Sequence, residues 1–415
     1  MKLYTAHRLI SQGEAGDITD GAAVLVKDGK FEWIGREADF PAGDYSSDIE
    51  RIDLGDVTLH PGLIDAHVHL GFDGGPEPVN RMNAETDPEQ TVLMIRSARE
   101  LLSVGVTTAR DLGARNYLDV VVRDSILKGD IQGPRLITAG SPITPTGGHC
   151  WFMGGESDGI EEVRKTVRTH HRAGVNAIKV MSTGGFMTAG SAPWYAQFET
   201  EALRTIVEEA RRLDKKVAAH AHGVQGIDRA VTAGVDTLEH CSFVHEDGTM
   251  GIVDELADRI AASDSAVSPT CNFRAMDMAR AREGYEPAFV ELWKRGATII
   301  ASTDSGIDNT PHHGFVGGLE AMHYFGMDND SILASATSVS AKVLGVDNVV
   351  GSIAVGLDAD MIAVKGNPRE DLAHLHNLEL ILSRGESFAP DHLSPLPEFE
   401  IENTRFGQKR ESSSR

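Results

Sequence analysis

The stretch that decides the fold is HPGLIDAHVHLG, residues 60–71, in which an apolar run ends in His67 and His69. In an extended strand, residues i and i+2 project from the same side, so the two imidazoles point together while Val68 packs the other way. Such a pair can bind a metal ion. An isolated pair can equally consist of one hydrogen-bonded core histidine and one exposed histidine, so the rest of the chain must decide.

The composition is that of a soluble globular protein. The chain has 415 residues, of which 41% are hydrophobic, and this is enough to fill one large domain and a smaller one. The 62 acidic residues outnumber the 39 basic residues and give a formal charge of −23. This charge repels nucleic acids and anionic membrane surfaces, so we expect neither as a partner.

The N-terminal sequence MKLYTAHRLISQGEAGD has no apolar core behind a basic start. No other stretch approaches the roughly 18 apolar residues that span a bilayer. Three cysteines, Cys150, Cys241 and Cys271, form neither a disulfide framework nor a zinc ribbon. We therefore expect a cytoplasmic protein with reduced thiols.

Both ends of the chain are rich in short alternating strands, as in AAVLVKDGKFEWIG and GSIAVGLDADMIAVKGNP. They predict one small β-sandwich built from residues 1–60 and 349–402, with a larger domain, residues 61–348, inserted between them. The final residues, 403–415, predict a disordered tail.

The middle of the chain alternates helical patterns with short apolar strands. Helices end at Gly105, Gly174, Gly234 and Gly296, where we expect left-handed caps before the next strand. The candidate strands are LIDAHVH, VTTARD, RLITAG, AIKVM, VAAH, TLEH, AVSPT and TIIAS. About eight strands predict an α/β fold of the (β/α)₈ TIM-barrel type. The alternative is an open doubly wound sheet, which typically has a glycine-rich phosphate-binding loop after the first strand, and this sequence has no such loop there.

Potential metal ligands follow these strands at their carboxyl ends, where barrels of this type carry their active sites. A single histidine or aspartate at a strand end is usually a cap or a core hydrogen-bonding group. Six such residues in this pattern favour a metal site instead. They are His67, His69, Lys179, His220, His240 and Asp304.

At these residues the chain resembles the amidohydrolase superfamily of metal-dependent hydrolases, and within it the imidazolonepropionase-like and Xaa-Pro dipeptidase-like members. The motifs that carry the resemblance are PGLIDAHVH, TPTGGH, AHAHG and ASTDSG. The resemblance implies that His67, His69 and Asp304 hold one divalent metal ion and that His220 and His240 hold a second. It also implies that Lys179 bridges the two.

A lysine ammonium has no lone pair, so Lys179 cannot bind a metal ion as it stands. A neutral amine can add carbon dioxide and become a carbamate, which is an anionic oxygen ligand able to span two metals. The alternative is a lysine paired with a carboxylate at the barrel mouth. We expect zinc, although manganese, cobalt or iron bind similar ligands.

The same site predicts hydrolytic chemistry, because a metal pair can lower the pKa of a bridging water to about 7. Asp304 is the candidate proton acceptor. His222 and His149 are candidates for polarising or contacting the substrate carbonyl. His222 stands where the dipeptidase-like members often carry tyrosine, and a role in orienting other site residues is an equal alternative.

Apolar loop residues near the predicted barrel mouth indicate a pocket for an apolar group. They are Trp151, Phe152, Met187, Trp194 and Tyr195. Tyr195 is also a candidate substrate contact. We expect an enzyme that cleaves an amide bond in a small molecule such as a dipeptide or an N-acyl amino acid. We also expect it to assemble as a homo-oligomer. A carbamate, a urea, a lactone or another ester, including a phosphotriester, is the alternative substrate.

Two further alternatives are a deaminase with one metal ion and a barrel that has lost catalysis. The resembled deaminases carry a glutamate within a few residues of the fifth-strand histidine, but here the sequence after His220 is Ala221-His222-Gly223-Val224. A non-catalytic relic should lack ligands, whereas all six are present. Both alternatives are therefore disfavoured.

Overall fold

The computed structural model describes residues 1–13, 16–45 and 48–398. The predicted tail, 403–415, and the last residues of the predicted C-terminal sandwich segment lie outside these ranges. The strands are β1 (Lys2–Ala6), β2 (Arg8–Leu9), β3 (Ala22–Lys27), β4 (Lys30–Arg36), β5 (Glu50–Asp53), β6 (Val57–Pro61), β7 (Leu63–Val68), β8 (Val106–Asp111), β9 (Arg135–Thr138), β10 (Ala177–Met181), β11 (Lys216–Gly223), β12 (Thr237–Val244), β13 (Ala266–Ser268), β14 (Met361–Lys365), β15 (Leu378–Ser383) and β16 (Glu386–Ser387).

Helices alternate with the central strands. The α-helices are α1 (Pro78–Ala84), α2 (Asp87–Ser103), α3 (Leu118–Lys128), α4 (Gly159–Ala173), α5 (Thr200–Arg212), α6 (Val224–Ala233), α7 (Asp254–Ala261), α8 (Ala275–Ala281), α9 (Ala288–Lys294), α10 (Phe315–Tyr324), α11 (Asn329–Ser335) and α12 (Ser338–Leu344). Short 3₁₀ helices lie at Glu37–Asp39, Ala42–Asp44, Arg115–Tyr117, Trp151–Met153, His312–Gly314 and Leu372–His376.

The central strands form two parallel sheets, with the orders β7-β8-β9 and β10-β11-β12-β13. Every residue of β7, β8 and β10 is buried, as expected for parallel strands that are covered on both faces. Consecutive strands are connected through helices, so the carboxyl ends of the strands lie at the same edge. This α/β arrangement brings the predicted ligands to one side of the sheets.

Isolated parallel bridges link the two sheets. Ile143, which follows β9, bridges to Val180 of β10. The predicted eighth strand, TIIAS, forms no extended ladder, but Ile299 bridges to Val267 of β13 and Ser305 bridges to Val68 of β7. Irregular pairing in this segment replaces the regular strand that the sequence predicts.

The glycines at the predicted helix-to-strand junctions have left-handed backbone conformations. The φ angles of Gly105, Gly174, Gly234 and Gly296 are 83°, 89°, 81° and 94°. This conformation carries little penalty only in a residue without Cβ. The prediction of left-handed caps at these four positions is confirmed.

Strands from both ends of the chain form two further sheets, β4-β3-β1-β5 and β16-β15-β14-β6-β2. Within the second sheet, β6 pairs antiparallel with β14, so N-terminal and C-terminal segments share a sheet. One buried apolar cluster combines Tyr4 and Val24 of the first sheet with Leu59 and Met361 of the second. The two sheets therefore share a core.

None of the helices within the described ranges is both long enough and apolar enough to cross a membrane.

Candidate metal centre and active site

Five of the six predicted ligands line one cavity at the carboxyl ends of the parallel strands, and the sixth, His67, contacts two of them from behind. The volume of the cavity is about 290 Å³, and its lining includes His69, Lys179, His220, His240 and Asp304. These side chains come from β10, β11, β12 and the segments that follow β7 and the irregular eighth strand. The fold thus collects residues that are up to 235 positions apart in the chain around a single space.

The first cluster consists of His67, His69 and Asp304. Nε2 of His67 lies 3.3 Å from Nε2 of His69. Oδ1 of Asp304 lies 3.2 Å from the first of these nitrogens and 3.1 Å from the second. Two imidazole nitrogens and one carboxylate oxygen therefore converge on one point, which is an arrangement that can hold a metal ion.

Electrostatics within this cluster favour the protonation states that a metal requires. Burial lowers the pKa of His69, so its ring is neutral and has a lone pair. Burial alone would raise the pKa of Asp304, but His67 and His69 outweigh burial and hold that pKa well below its usual range. Neutral imidazoles and an ionised carboxylate are the forms that bind metals.

The second cluster consists of His220, His222 and His240, which also form a group able to hold a metal ion. Nδ1 of His220 lies 2.9 Å from Nε2 of His240. The rings of His222 and His240 stack with their centroids 4.3 Å apart. Burial, together with neighbouring imidazoles, lowers the pKa of His220 and His240 well below the usual range, so both rings are neutral.

The backbone is in the left-handed region at His240 and at Asp304, with φ angles of 68° and 60°. Such angles are uncommon outside glycine, and they cluster at functional sites. At His240 the conformation interrupts the two-residue alternation of β12. As a result, Glu239 reaches His67 and its neighbour His240 reaches His220, although consecutive strand residues normally point to opposite faces.

Lys179 is 1% exposed, and its Nζ has no hydrogen-bond partner among the described residues. Burial lowers the pKa of this amine to about 8, although Glu239 and Asp304 oppose the shift. The described part of the chain thus gives Lys179 no direct carboxylate partner, which the alternative interpretation of this residue required. A buried amine without a hydrogen-bond partner among the described residues is unusual in a native protein, and this one lies beside two clusters that could hold metal ions.

The three predicted substrate contacts differ in their surroundings. His149 lines the cavity, its ring centroid lies 4.6 Å from that of His220, and its Nδ1 has no partner among the described residues. His222 also lines the cavity, and its Nδ1 lies 3.0 Å from Oγ of Ser242. Tyr195 is 61% exposed and is not among the lining residues. Its role as a substrate contact stays a prediction.

Of the five apolar loop residues that indicated a pocket, Met187 lines the cavity, whereas Trp151, Phe152, Trp194 and Tyr195 are not among its lining residues. Much of the apolar wall comes instead from the region around α8 and α9. Its residues there are Ala275, Met278, Tyr285, Pro287, Ala288 and Phe289. The sequence of this region did not predict a cavity wall, because its apolar pattern is the same as that of a helix that packs on the core.

Glu239 and Arg110 lie behind the first cluster and were not among the residues predicted from the sequence. Oε2 of Glu239 lies 2.8 Å from Nδ1 of His67, and Oε1 accepts a hydrogen bond of 2.9 Å from Nη2 of Arg110. Burial alone would raise the pKa of Glu239, but Arg110 and His67 hold it well below its usual range. The available signal was a glutamate next to a candidate ligand on a buried strand.

The sequence profile of the Amidohydrolase family matches residues 58–388 of this chain. The chain therefore belongs to the amidohydrolase family, and the resemblance seen in the sequence is confirmed. Structures of this family are of the α/β TIM-barrel type, and its members generally use metal ions.

Individual relatives agree with this assignment. Ochratoxinase from Aspergillus niger is 30% identical over 397 residues, which cover 86% of this chain and 80% of the relative. Imidazolonepropionase from Pseudomonas fluorescens is 23% identical over 397 residues, which cover 90% of this chain and 95% of the relative. A crystal structure of a Xaa-Pro dipeptidase with bound methionine in the active site has a TM-score of 0.80 and 27% identity, and the match covers 93% of this chain and 99% of that one. The family and these relatives support a hydrolase.

Proposed function

We propose that this protein is a binuclear metal-dependent hydrolase that cleaves an amide C–N bond in a small molecule carrying an apolar group. The observation that carries the proposal is the position of Lys179. This buried amine, which has no hydrogen-bond partner within the described ranges, lines the same cavity as residues of both clusters that could hold metal ions. The two clusters and Lys179 together offer more ligands than a single metal ion in a tetrahedral site needs.

In this proposal His67, His69 and Asp304 hold one metal ion, His220 and His240 hold the second, and zinc is the expected metal for both. When bound, the pair would supply an activated water and would polarise the substrate carbonyl. The fit rests on the converging ring nitrogens and on the neutral state of the buried imidazoles.

Lys179 would bridge the two positions as a carbamate. Its neutral Nζ would attack the carbon of carbon dioxide, so that a C–N bond forms while one C=O π bond opens onto oxygen, and the nitrogen would release one proton to water. The product has two oxygen atoms that share a negative charge. Since Nζ has no hydrogen-bond partner in the described part of the chain, no existing contact has to break for this reaction.

Asp304 would accept a proton from the attacking water and deliver it to the leaving nitrogen. The carboxylate suits this role because its Oδ1 faces His67 and His69 and it lines the cavity. His149 and His222 would contact the substrate carbonyl from the cavity wall. Tyr195 would contact the substrate from a more exposed position.

The apolar wall supports a substrate with an apolar group. Phe186, Met187, Met250, Met278 and Phe289 line the cavity, and flexible methionine side chains adapt to different apolar shapes. The ochratoxinase and Xaa-Pro dipeptidase relatives support an amide substrate. A dipeptide or an N-acyl amino acid is the proposed class.

A carbamate or urea is the second candidate substrate, and a specific observation favours it. Apart from Lys179, the residues that line the cavity include no lysine or arginine. An amino-acid product carries a carboxylate, which such a lining would not pair directly. A neutral carbamate or urea needs no such partner.

The test combines elemental analysis with a substrate panel on protein expressed with zinc and carbon dioxide. We expect close to two metal ions per chain and hydrolysis of N-acyl amino acids with apolar groups. Matched carbamates and ureas measure the second candidate directly. A fully active enzyme with one metal ion would refute the binuclear proposal, and a metal-loaded protein inactive on every amide would refute the amide substrate.

We also propose that the bridged parallel sheets close into a (β/α)₈ barrel spanning residues 61–348 and that the terminal sheets form a sandwich from residues 1–60 and 349–402. The bridges from Ile143, Ile299 and Ser305 support closure, and the shared apolar cluster supports the sandwich. Assembly as a homo-oligomer stays a prediction, which light scattering in solution would test.

A further inference from the structure

Behind the first metal-binding cluster lies a buried ion pair between Arg110 of β8 and Glu239 of β12. The side chain of Glu239 is 0% exposed and that of Arg110 is 1% exposed. Nη2 of Arg110 donates to Oε1 of Glu239 at 2.9 Å. The other carboxylate oxygen, Oε2, lies 2.8 Å from Nδ1 of His67. The three side chains form one continuous hydrogen-bonded chain that ends at a candidate metal ligand.

Stability alone does not explain such a pair. Removing two charges from water carries a desolvation penalty that their attraction often fails to recover, so well-packed apolar residues of similar volume are often at least as stable. Here the pair has further hydrogen bonds that hold it in one orientation. Nε of Arg110 donates to the carbonyl of Ala66 at 2.7 Å, and Nη1 donates to Oγ1 of Thr237 at 3.0 Å. The hydroxyl of Thr237 in turn donates to Oε1 of Glu239.

These contacts connect three strands at the position of the metal-binding cluster. Ala66 lies in β7 next to His67, Arg110 lies in β8, and Thr237 and Glu239 lie in β12. Arg110 is thus anchored at three points, and Glu239 has a fixed direction toward the His67 ring.

The chemistry of the carboxylate determines what this contact does to the imidazole. A carboxylate paired with arginine can only accept hydrogen bonds, so Nδ1 of His67 must carry the proton and donate it. In a neutral ring the lone pair is then on Nε2. Nε2 is the atom that lies 3.3 Å from Nε2 of His69 and 3.2 Å from Oδ1 of Asp304.

We propose that Glu239 and Arg110 are positioning residues that hold His67 in the tautomer and orientation needed to bind the metal ion of the first cluster. This inference rests on the proposed metal-dependent function. Partners of this kind around metal-binding histidines typically contribute about 10- to 100-fold to metal affinity or activity.

The experiment separates positioning from folding by comparing two variants. Glu239→Gln removes the charge and gives an amide that can donate to Nδ1, so the wrong tautomer becomes available, and it also leaves Arg110 without its counter-ion. The double variant Arg110→Met with Glu239→Gln removes the unpaired charge as well. For each metal-free protein, the free energy of unfolding and the Kd for zinc are measured, followed by kcat and KM after zinc loading.

We expect Glu239→Gln to be destabilised and to bind zinc about 10- to 100-fold more weakly at one of its two sites. The double variant should recover most of the stability, because no buried charge is left unpaired, but it should not recover zinc affinity. After zinc loading, kcat should fall more than KM rises. Recovery of zinc affinity together with stability would mean that the pair only supports folding, and the inference would be overturned.

Asp360→Asn is the matched control, because Asp360 is 3% exposed, accepts a backbone hydrogen bond from Arg384 and lies in the segment just before β14, apart from the cavity lining. This variant should change stability without changing the zinc Kd. The two proposals fail differently. Tight zinc binding that is equal in the parent and in Glu239→Gln overturns the positioning role alone, whereas a parent protein that binds no zinc overturns both.

Discussion

Replacing Lys179 with alanine tests the proposed binuclear centre most directly, because the proposal makes a carbamate on this lysine the bridge between the two metal positions. Deleting the side chain removes the proposed bridge between the two clusters. Both metal sites should therefore weaken together. Loss of a residue that only hydrogen-bonds to a metal ligand typically lowers activity about 10- to 100-fold, and loss of Lys179 should lower it further.

The stability of the metal-free protein should change little, and the structure gives the magnitude. Lys179 is 1% exposed, so alanine removes its buried γ-, δ- and ε-methylene groups, which at about 0.8 kcal/mol each contribute about 2.4 kcal/mol. The same change removes a buried amine that has no hydrogen-bond partner among the residues that the structure describes, and this restores about 1–3 kcal/mol. We expect a net change in the free energy of unfolding of no more than about 1–2 kcal/mol.

The assay uses denaturant unfolding of the metal-free protein, zinc titration and turnover with added acetate. A short carboxylic acid can enter the vacated space and bridge the metal positions, so turnover of Lys179→Ala should rise with acetate concentration until the space is occupied. Lys179→Arg is the control, because its guanidinium fills the space with a fixed positive charge and should prevent rescue.

The result that would refute this reasoning is specific. If Lys179→Ala binds zinc with the parent stoichiometry and hydrolyses substrate at the parent rate, the carbamate bridge does not exist. The mechanism with one metal ion then becomes the leading interpretation. If the free energy of unfolding of the metal-free variant is instead lower by many kcal/mol, Lys179 has a structural role.

Three other predictions follow from the site. Asp304→Asn should keep the fold and much of the zinc but lose most of kcat, because the amide keeps an oxygen ligand and lacks a usable base. Steady-state kinetics at equal zinc content measures this loss, and a kcat near that of the parent would exclude Asp304 from the proton-transfer role. Burial lowers the pKa of Lys179 from its ordinary value of 10.5 to about 8, so between these pH values the unfolded chain binds more protons than the folded chain. This residue should therefore make the metal-free protein more stable as the pH rises from 8 to 10.5. Urea titrations should show this gain relative to Lys179→Ala, and parallel pH profiles of the two proteins would contradict it. Met278→Ala should raise KM about 10-fold for substrates with a large apolar group and change kcat less, because Met278 lines the cavity wall. An equal rise in KM for small substrates would show that Met278 does not contact the apolar group.

Most of the strand assignments could be made from the sequence. VTTARD and AIKVM coincide with β8 and β10, because short apolar runs bounded by helix caps leave few other structures. The TIIAS segment is different: Ile299 pairs with Val267 through an isolated bridge, and the bridge to Val68 comes from Ser305, beyond the end of the segment. Local pattern does not reveal how well a strand matches its neighbours, because that match depends on how the whole sheet arrangement comes together.

The candidate ligands were also visible in the sequence, but their surroundings were not. The exposed fraction of Tyr195, 61%, and the cavity wall around Met278 depend on how loops and helices fold over the strand ends. Apolar residues in a loop can line a cavity, pack against one another or face solvent, and the sequence pattern is the same in each case.

By itself the sequence determined that His67 and His69 project from one side of a strand, since the two-residue alternation is a property of the extended backbone and needs no distant partner. Only the tertiary structure decided that Nδ1 of His67 meets Glu239, which is 172 residues away in the chain, and that Arg110, 129 residues from Glu239, holds that carboxylate. It also decided that the amine of Lys179 is buried without a hydrogen-bond partner in the described structure. Backbone geometry sets the direction of neighbouring side chains, whereas contacts between distant strands depend on the packing of the entire domain.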